Sequence, residues 1–171
     1  PYVGVADIAP FDREGLGLSR SNVIFLCMFD FNSYIARKNP LAAIDAFRIA
    51  FPEGGPERLL IKTINGHANP QALLELQRYI AVDERITLVD GGLTRSEVCG
   101  LLQGVDCYVS LHRSEGFGRI IAEAMLLGTP VIATDWSGSA SFLNAATGFP
   151  VSCTLRSVRP DEYVYSEGSV W

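Results

Sequence analysis

From about residue 22 to residue 151, short apolar runs alternate with stretches in which apolar side chains recur at helical spacing. Asn22–Phe29 is almost continuously apolar, which predicts a strand buried on both faces. Arg58–Thr63, Ile86–Val89, Val105–Leu111, Val131–Thr134 and a short run near Phe149–Val151 predict further strands. Between them the period changes. Ile44, Phe47 and Phe51 follow Asn39-Pro40, and Leu73, Leu76 and Ile80 follow Asn69-Pro70. Each Asn-Pro pair reads as an N-cap with proline at the first helical position. Thr94-x-x-Glu97 is a capping box that opens a helix with Val98, Leu101 and Leu102 inward. A further helix runs to Leu127 and stops at Gly128, and a short one is expected around Ser139–Leu143.

Strands and helices in strict alternation predict right-handed βαβ units. The expected fold is therefore α/β: a Rossmann-like, doubly wound parallel sheet of about six strands with helices on both faces. Residues 1–20 carry Gly, Pro and charges without a period and read as an incoming linker or surface segment. The pattern fades again after Cys153. The chain thus divides into a linker (1–20), a Rossmann-like domain (21–153) and an irregular C-terminal extension (154–171), which reads as truncated.

Composition narrows the function classes. The 171 residues are 48% hydrophobic and 19% charged, as in an ordinary soluble globular chain, and no apolar run reaches the length of a membrane span. A net charge of −5 argues against a general nucleic-acid binder, yet a few well-placed cations suffice for a small phosphate-bearing ligand. Cys27, Cys99, Cys107 and Cys153 show no metal or redox spacing; Cys27 and Cys107 fall in apolar runs and read as reduced core thiols, which points to the cytosol. There is no Asp-x-Asp metal motif, no Cys/His cluster and no Gly-x4-Gly-Lys-Ser/Thr phosphate loop. Those absences argue against a metal-dependent GT-A transferase and a nucleoside triphosphatase.

The most informative segment is Ser114-Glu115-Gly116-Phe117-Gly118-Arg119-Ile120-Ile121-Ala122-Glu123. A polar, glycine-rich turn enters an apolar helix, so the first amides of that helix, those of Phe117, Gly118 and Arg119, are free to meet an anion. In open α/β sheets ligands gather beyond the carboxyl ends of the strands, where this turn lies together with loops 30–39, 64–69, 90–93 and 135–141. Lys38 and Lys62 lie beside that rim. Lys62 either points its ammonium into it or snorkels to water; Arg37 reads as solvated, or as recruited by a bound diphosphate. His112 either meets a ligand or has a structural role, and His67 has similar standing.

With Gly128-Thr129-Pro130-Val131-Ile132-Ala133-Thr134 following at fixed spacing, the segment resembles the Glu-x7-Glu signature of retaining GT-B glycosyltransferases, in particular family 4. The resemblance runs from about Val23 to Val151. It implies a nucleotide-sugar donor domain moving a hexose from a UDP or GDP sugar to a glycan or lipid-linked acceptor, with no other cofactor and no metal. Glu115 would sit by the transferred sugar, and Lys38 would meet the diphosphate. Glu123 would accept hydrogen bonds from the ribose hydroxyls, or else merely pair with Arg119 one turn away. The family's upstream arginine is replaced by Phe31, Asn32 or Ser33, with Ser33 a substitute donor. Ser33, Lys62, His112, Phe117, Gly118, Arg119 and Glu123 complete the expected donor site. The resemblance further implies a separate acceptor domain N-terminal to this one. It places the full-length enzyme in the cytoplasm, with peripheral association at the inner face of the membrane. A GT-B nucleotide-sugar epimerase and a non-catalytic nucleotide- or sugar-binding module are the alternative readings.

Overall fold

The computed structural model describes residues 3–5 and 7–171; residues 1, 2 and 6 of the incoming segment lie outside the described residues. Six strands form one parallel sheet: β1 (Val23–Asp30), β2 (Glu57–Ile64), β3 (Ile86–Asp90), β4 (Cys107–Ser110), β5 (Val131–Thr134) and β6 (Phe149–Val151). Their spatial order is β3-β2-β1-β4-β5-β6, so the direction of winding reverses between β1 and β4. A crevice opens there beyond the strand ends, the usual place for a ligand in this architecture.

Among the described residues five α-helices cover the sheet: α1 (Ile35–Lys38), α2 (Pro40–Ala50), α3 (Pro70–Ile80), α4 (Arg95–Gly104) and α5 (Arg119–Leu126). They build two cores. Ala43, Ile44 and Phe47 of α2 with Leu76 and Ile80 of α3 pack on Phe29, Leu59 and Ile61 on one face. Leu101 and Leu102 of α4 with Ile121 and Ala124 of α5 pack on Ile24, Leu26 and Leu60 on the other. The central strands are therefore buried on both sides, which is why they read as unbroken apolar runs. Cys27 and Cys107 sit within this core, and burial pushes their thiols up to about 12 and about 11, leaving them protonated and inert.

The helix starts mostly follow their sequence signals. The Asn69 side chain accepts from Ala72 N, and Thr94 and Glu97 complete the reciprocal capping box. Gly128, at φ 78°, ends α5 in the left-handed conformation a glycine adopts without strain. Asn39 does not cap. It adopts φ 52°, ψ 48°, and its amide donates to Leu111 O at 2.9 Å, tying the start of α2 to the end of β4. The expected strand Val105–Leu111 shortens to Cys107–Ser110, because Val105 is the C-cap of α4 and the Asp106 carboxylate accepts from Ile24 N at 2.7 Å. The helix expected at Ser139–Leu143 is a 3-10 turn over Ser137–Ser141.

Part of the incoming segment is more than a surface connection. Leu18 is buried, Phe11 and Leu16 pack against the α4–α5 core, and Ala9 O lies where a Cβ on Gly100 would be. The C-terminal stretch is irregular but held. Arg156 and Trp171 exchange two backbone hydrogen bonds of 3.0 Å, and Arg156 grips Glu162 with both guanidinium nitrogens at 2.7 and 2.5 Å. Among the described residues no helix is long and apolar enough to cross a membrane.

Candidate functional site

At the β1/β4 reversal lies a cavity of about 340 Å³, within the range of small-molecule sites. β1 contributes Met28, Phe29 and Asp30, β2 contributes Lys62, Thr63 and Ile64, and β4 contributes Tyr108 and Ser110. The turn after β1 adds Ser33, α1 adds Lys38, and the approach to and first residue of α5 add Glu115, Gly118 and Arg119.

The turn carrying Glu115 is fixed by a second turn. Ser137 Oγ donates to Glu115 O at 2.6 Å and accepts from Glu115 N at 3.1 Å, while Gly138 N donates to Glu115 O at 2.9 Å. The two backbones approach so closely that a Cβ on Gly138 would stand 2.1 Å from Gly116 O; only glycine fits. His112 supports this contact from below. It is fully buried, with Nε2 3.3 Å from Trp136 O and Nδ1 3.1 Å from both Ser110 O and Ser110 Oγ, so a neutral ring donates to one of the two carbonyls. Burial pushes its pKa below the usual histidine value.

Gly118 precedes α5 at φ 82° and provides no side-chain cap. The first bond into this helix runs from Ala122 N to Gly118 O, so among the described residues the N–H groups of Phe117, Gly118, Arg119 and Ile120 meet no protein acceptor. Unsatisfied amides at the positive end of a helix dipole favour an anion. Lys38, Lys62 and Arg119 add three cations to the wall, against the carboxylates of Asp30 and Glu115.

Each cation is held differently. Lys38 Nζ donates to Glu115 Oε2 at 2.5 Å, and both side chains are four-fifths buried. Lys62 is almost completely buried; its ammonium turns neither to water nor freely into the cavity but donates to the carbonyls of Thr63, at 2.7 Å, and Gly91. Burial lowers its pKa, and the nearby Asp90 carboxylate offsets part of that. Arg119 projects into solvent with its side chain 70% exposed. Arg37, expected to be solvated, instead donates to Ser114 O at 3.3 Å and Ser33 Oγ at 3.2 Å, bracing both sides of the cavity mouth.

The structure thus gathers Ser33, Lys38, Lys62, Glu115, Gly118 and Arg119 around one space. His112, Phe117 and Glu123 do not line it. The Phe117 ring packs on Phe142 at 5.1 Å. Glu123 is buried, and its Oε2 accepts from Arg95 Nη1 at 2.6 Å while Arg119 Nε stands 3.4 Å from Oε1. The pairing with Arg119 is therefore present, though on a buried carboxylate rather than an exposed helix face.

Three residues escaped the sequence reading. Tyr108, inside an apolar run, places a buried phenol at the floor, kept protonated by burial. Asp30 ends β1 in the wall and braces the rim, accepting from Asn32 N at 2.8 Å and Asn65 Nδ2 at 2.9 Å. Arg95 had one usable signal, its place at the first position of a capped helix just beyond the 90–93 rim loop.

A family model for glycosyl transferases group 1 matches residues 24–156. The chain belongs to that family. Among curated relatives, the D-inositol 3-phosphate glycosyltransferase of Rhodococcus erythropolis is 28% identical over 81% of this chain and 32% of its own length. The Vi polysaccharide biosynthesis protein VipC/TviE of Salmonella typhi is 30% identical over 68% of this chain and 19% of its own length. The chain therefore spans a third or less of these relatives. Among solved structures, a glycosyltransferase from Rickettsia africae superposes with a TM-score of 0.69 at 22% identity, over 82% of this chain and 36% of that one. Anabaena HepE in complex with UDP and glucose gives 0.63 at 20% identity, over 82% and 37%. The group 1 chain described here shares their Rossmann-like, GT-B-type fold.

Proposed function

We propose that the chain is the donor-binding domain of a retaining, family 4 type glycosyltransferase that transfers a hexose from a nucleoside diphosphate sugar. One observation carries the reading: unpartnered amides at the start of α5 and the cation Lys38 border a cavity in which Glu115 supplies a carboxylate. The diphosphate would accept from those amides and from Lys38, and the sugar would lie toward Glu115. UDP is the favoured nucleotide, since HepE is seen with UDP and glucose. The hydroxyl-bearing acceptor, a glycan or lipid-linked glycan, would be held mainly by a second domain of a two-domain enzyme acting at the cytoplasmic face of a membrane.

In the proposed step the bond from the sugar's anomeric carbon to the diphosphate oxygen breaks, and its electron pair stays on the β-phosphate. The acceptor oxygen bonds to the anomeric carbon on the same face, and its proton passes to the departing phosphate oxygen. The amides and Lys38 stabilise the charge that develops on the leaving group. Glu115 faces the positive charge that develops on the sugar. In the free protein Lys38 and Glu115 neutralise each other, so a bound diphosphate would draw Lys38 away and leave the carboxylate to the sugar.

Calorimetry of the purified 171-residue chain with UDP, GDP and UDP-glucose tests the proposal. Saturable binding of a nucleoside diphosphate, lost in Gly118→Val, is expected, because that change strains the left-handed turn and crowds the anion site. No binding of any of the three would refute the donor-site reading.

A further inference from the structure

A second cavity, of about 480 Å³, lies beside the first. It is walled by the loop after β1 (Phe31 to Ala36), by α3 from Asn69 to Tyr79, and by Asp161 and Glu162 of the C-terminal stretch. Ser33 belongs to both cavities, so one loop separates them. Nothing in the donor reading uses this space.

Its chemistry differs from that of its neighbour. No lysine or arginine lines it, whereas Glu75, Asp161 and Glu162 do, which disfavours a phosphate or any other anion. Tyr34 and Tyr79 lend half-exposed aromatic surface to the apolar floor formed by Phe31, Ile35 and Leu76. Aromatic faces beside amide and carboxylate groups suit a molecule with apolar C–H faces and a rim of hydroxyls. Asn69 offers its Nδ2, since its Oδ1 already accepts from Ala72 N.

The irregular C-terminal stretch is shaped into this wall by specific contacts. Glu162 accepts from both guanidinium nitrogens of Arg156 and from Arg159 N at 2.9 Å. Tyr163 meets the Tyr34 ring edge-on at 4.8 Å, fixing the stretch to the loop that divides the cavities. Glu162 is saturated by these bonds. The neighbouring Asp161 makes no side-chain hydrogen bond among the described residues and is exposed, leaving it available to hydroxyls.

We propose that this second cavity is a saccharide-binding subsite for an uncharged sugar unit, distinct from the donor site and contributed by this domain itself. In the intact enzyme it would hold a sugar residue of the glycan one loop away from the transferred hexose. That placement rests on the donor reading. The binding of an uncharged sugar does not.

The experiment is an amide-resolved NMR titration of the 171-residue chain with methyl α-D-glucopyranoside, after saturating the donor cavity with UDP, and a parallel titration with glucose 1-phosphate. Expected are saturable shifts at residues 31–36, 69–79 and 161–162 with the methyl glycoside, and at least about fivefold weaker binding of the phosphate sugar there. Tyr34→Ser should weaken the methyl glycoside roughly three- to tenfold, the range for loss of one aromatic contact. Asp161→Asn should weaken it as well, and both variants should keep the amide dispersion of the folded chain. Absence of shifts in these segments, shifts indifferent to both variants, or equal binding of the phosphate sugar would overturn the proposal. Failure of UDP to bind would refute only the donor reading, because the methyl glycoside titration can be read without it.

Discussion

Glu115 and Glu123 belong to one turn-and-helix unit, eight residues apart, yet the fold gives them opposite surroundings. Glu115 stands in the wall of an open cavity and shares its charge with Lys38, which a ligand can recruit. Glu123 lies beneath α4, buried, with Arg95 clamped on it, and Arg95 Nη2 also donates to Gly4 O at 2.8 Å. The Glu123 carboxylate holds the Arg95 guanidinium above its ordinary pKa. In the free protein both Glu123 oxygens thus face arginines, Oε2 Arg95 and Oε1 Arg119. Spacing therefore marks the unit, while burial decides what each carboxylate does.

Removing Arg95 tests this division most severely. Arg95→Ala leaves a buried carboxylate with only the exposed Arg119, whose Nε stands 3.4 Å away. Breaking a buried pair costs about 3–5 kcal/mol; because the Arg95 side chain is 37% exposed, about 2–3 kcal/mol is expected here. Denaturant unfolding with an unchanged slope should report it. Glu115→Ala, by contrast, breaks a pair whose two side chains each keep a fifth of their surface exposed beside an open cavity, and should cost less, about 1 kcal/mol. Equal losses would mean that burial does not separate the two sites.

Next in size are the effects on ligand. Lys38→Ala should weaken UDP binding by about 1.5–3 kcal/mol, the range for a charge-assisted hydrogen bond, while costing no more stability than Glu115→Ala does. Glu115→Ala should leave UDP affinity unchanged or raise it, since the competing carboxylate is gone, and weaken only UDP-glucose. Calorimetry with both ligands checks this. If Glu115→Ala weakened UDP itself, the carboxylate would not be facing the sugar.

The sheet, the helix faces and the capping box were readable because each is dictated within about ten neighbouring residues by periodicity or by one side chain. The gathering of Lys38, Lys62, Glu115 and Gly118 was also readable, because parallel winding brings every strand's carboxyl end to one edge. Three features could not be read that way. Asn39 joins Leu111 across the fold, a pairing that no local rule favours over capping. Arg37 finds its acceptors at Ser114 O and at Ser33, and only the first is distant in sequence. Arg95 and Glu123 come from different helices and meet only because α4 and α5 pack on the same face.

A smaller, pH-dependent effect follows from the residue beneath the Glu115 turn. His112 is buried and its folded pKa is depressed, whereas an unfolded histidine titrates near about 6.5. Its contribution to stability is therefore present above about pH 6.5 and is lost as pH falls through the folded value. The unfolding midpoint should decline between about pH 7 and pH 5, and the decline should flatten in His112→Asn, an uncharged residue that keeps two hydrogen-bonding groups. An identical slope in that variant would take His112 out of the support for Glu115.

The smallest effect supplies the control for the comparison. Glu162 and Arg156 form a two-pronged pair whose geometry is at least as good as that of Glu123 and Arg95; Arg156 is as exposed as Arg95, but the Glu162 side chain keeps 13% of its surface against 2% for Glu123. Arg156 and the N–H of Arg159 hold the Glu162 carboxyl down at about 2. A depressed carboxylate contributes what stability it has above its unfolded pKa, near about 4.3, and loses it as pH falls toward 2. Water reaches both partners of this pair, so Glu162→Gln should lower the global midpoint at neutral pH by less than Arg95→Ala does. Its effect should be local: amide shifts at 156–163, and at Tyr34 across the ring contact with Tyr163, should move in the variant and, in the parent chain, on acidification. If Glu162→Gln instead lowered the midpoint as far as Arg95→Ala does, good pairing geometry alone would account for both losses. The contrast between an open and a buried carboxylate would then have to be abandoned.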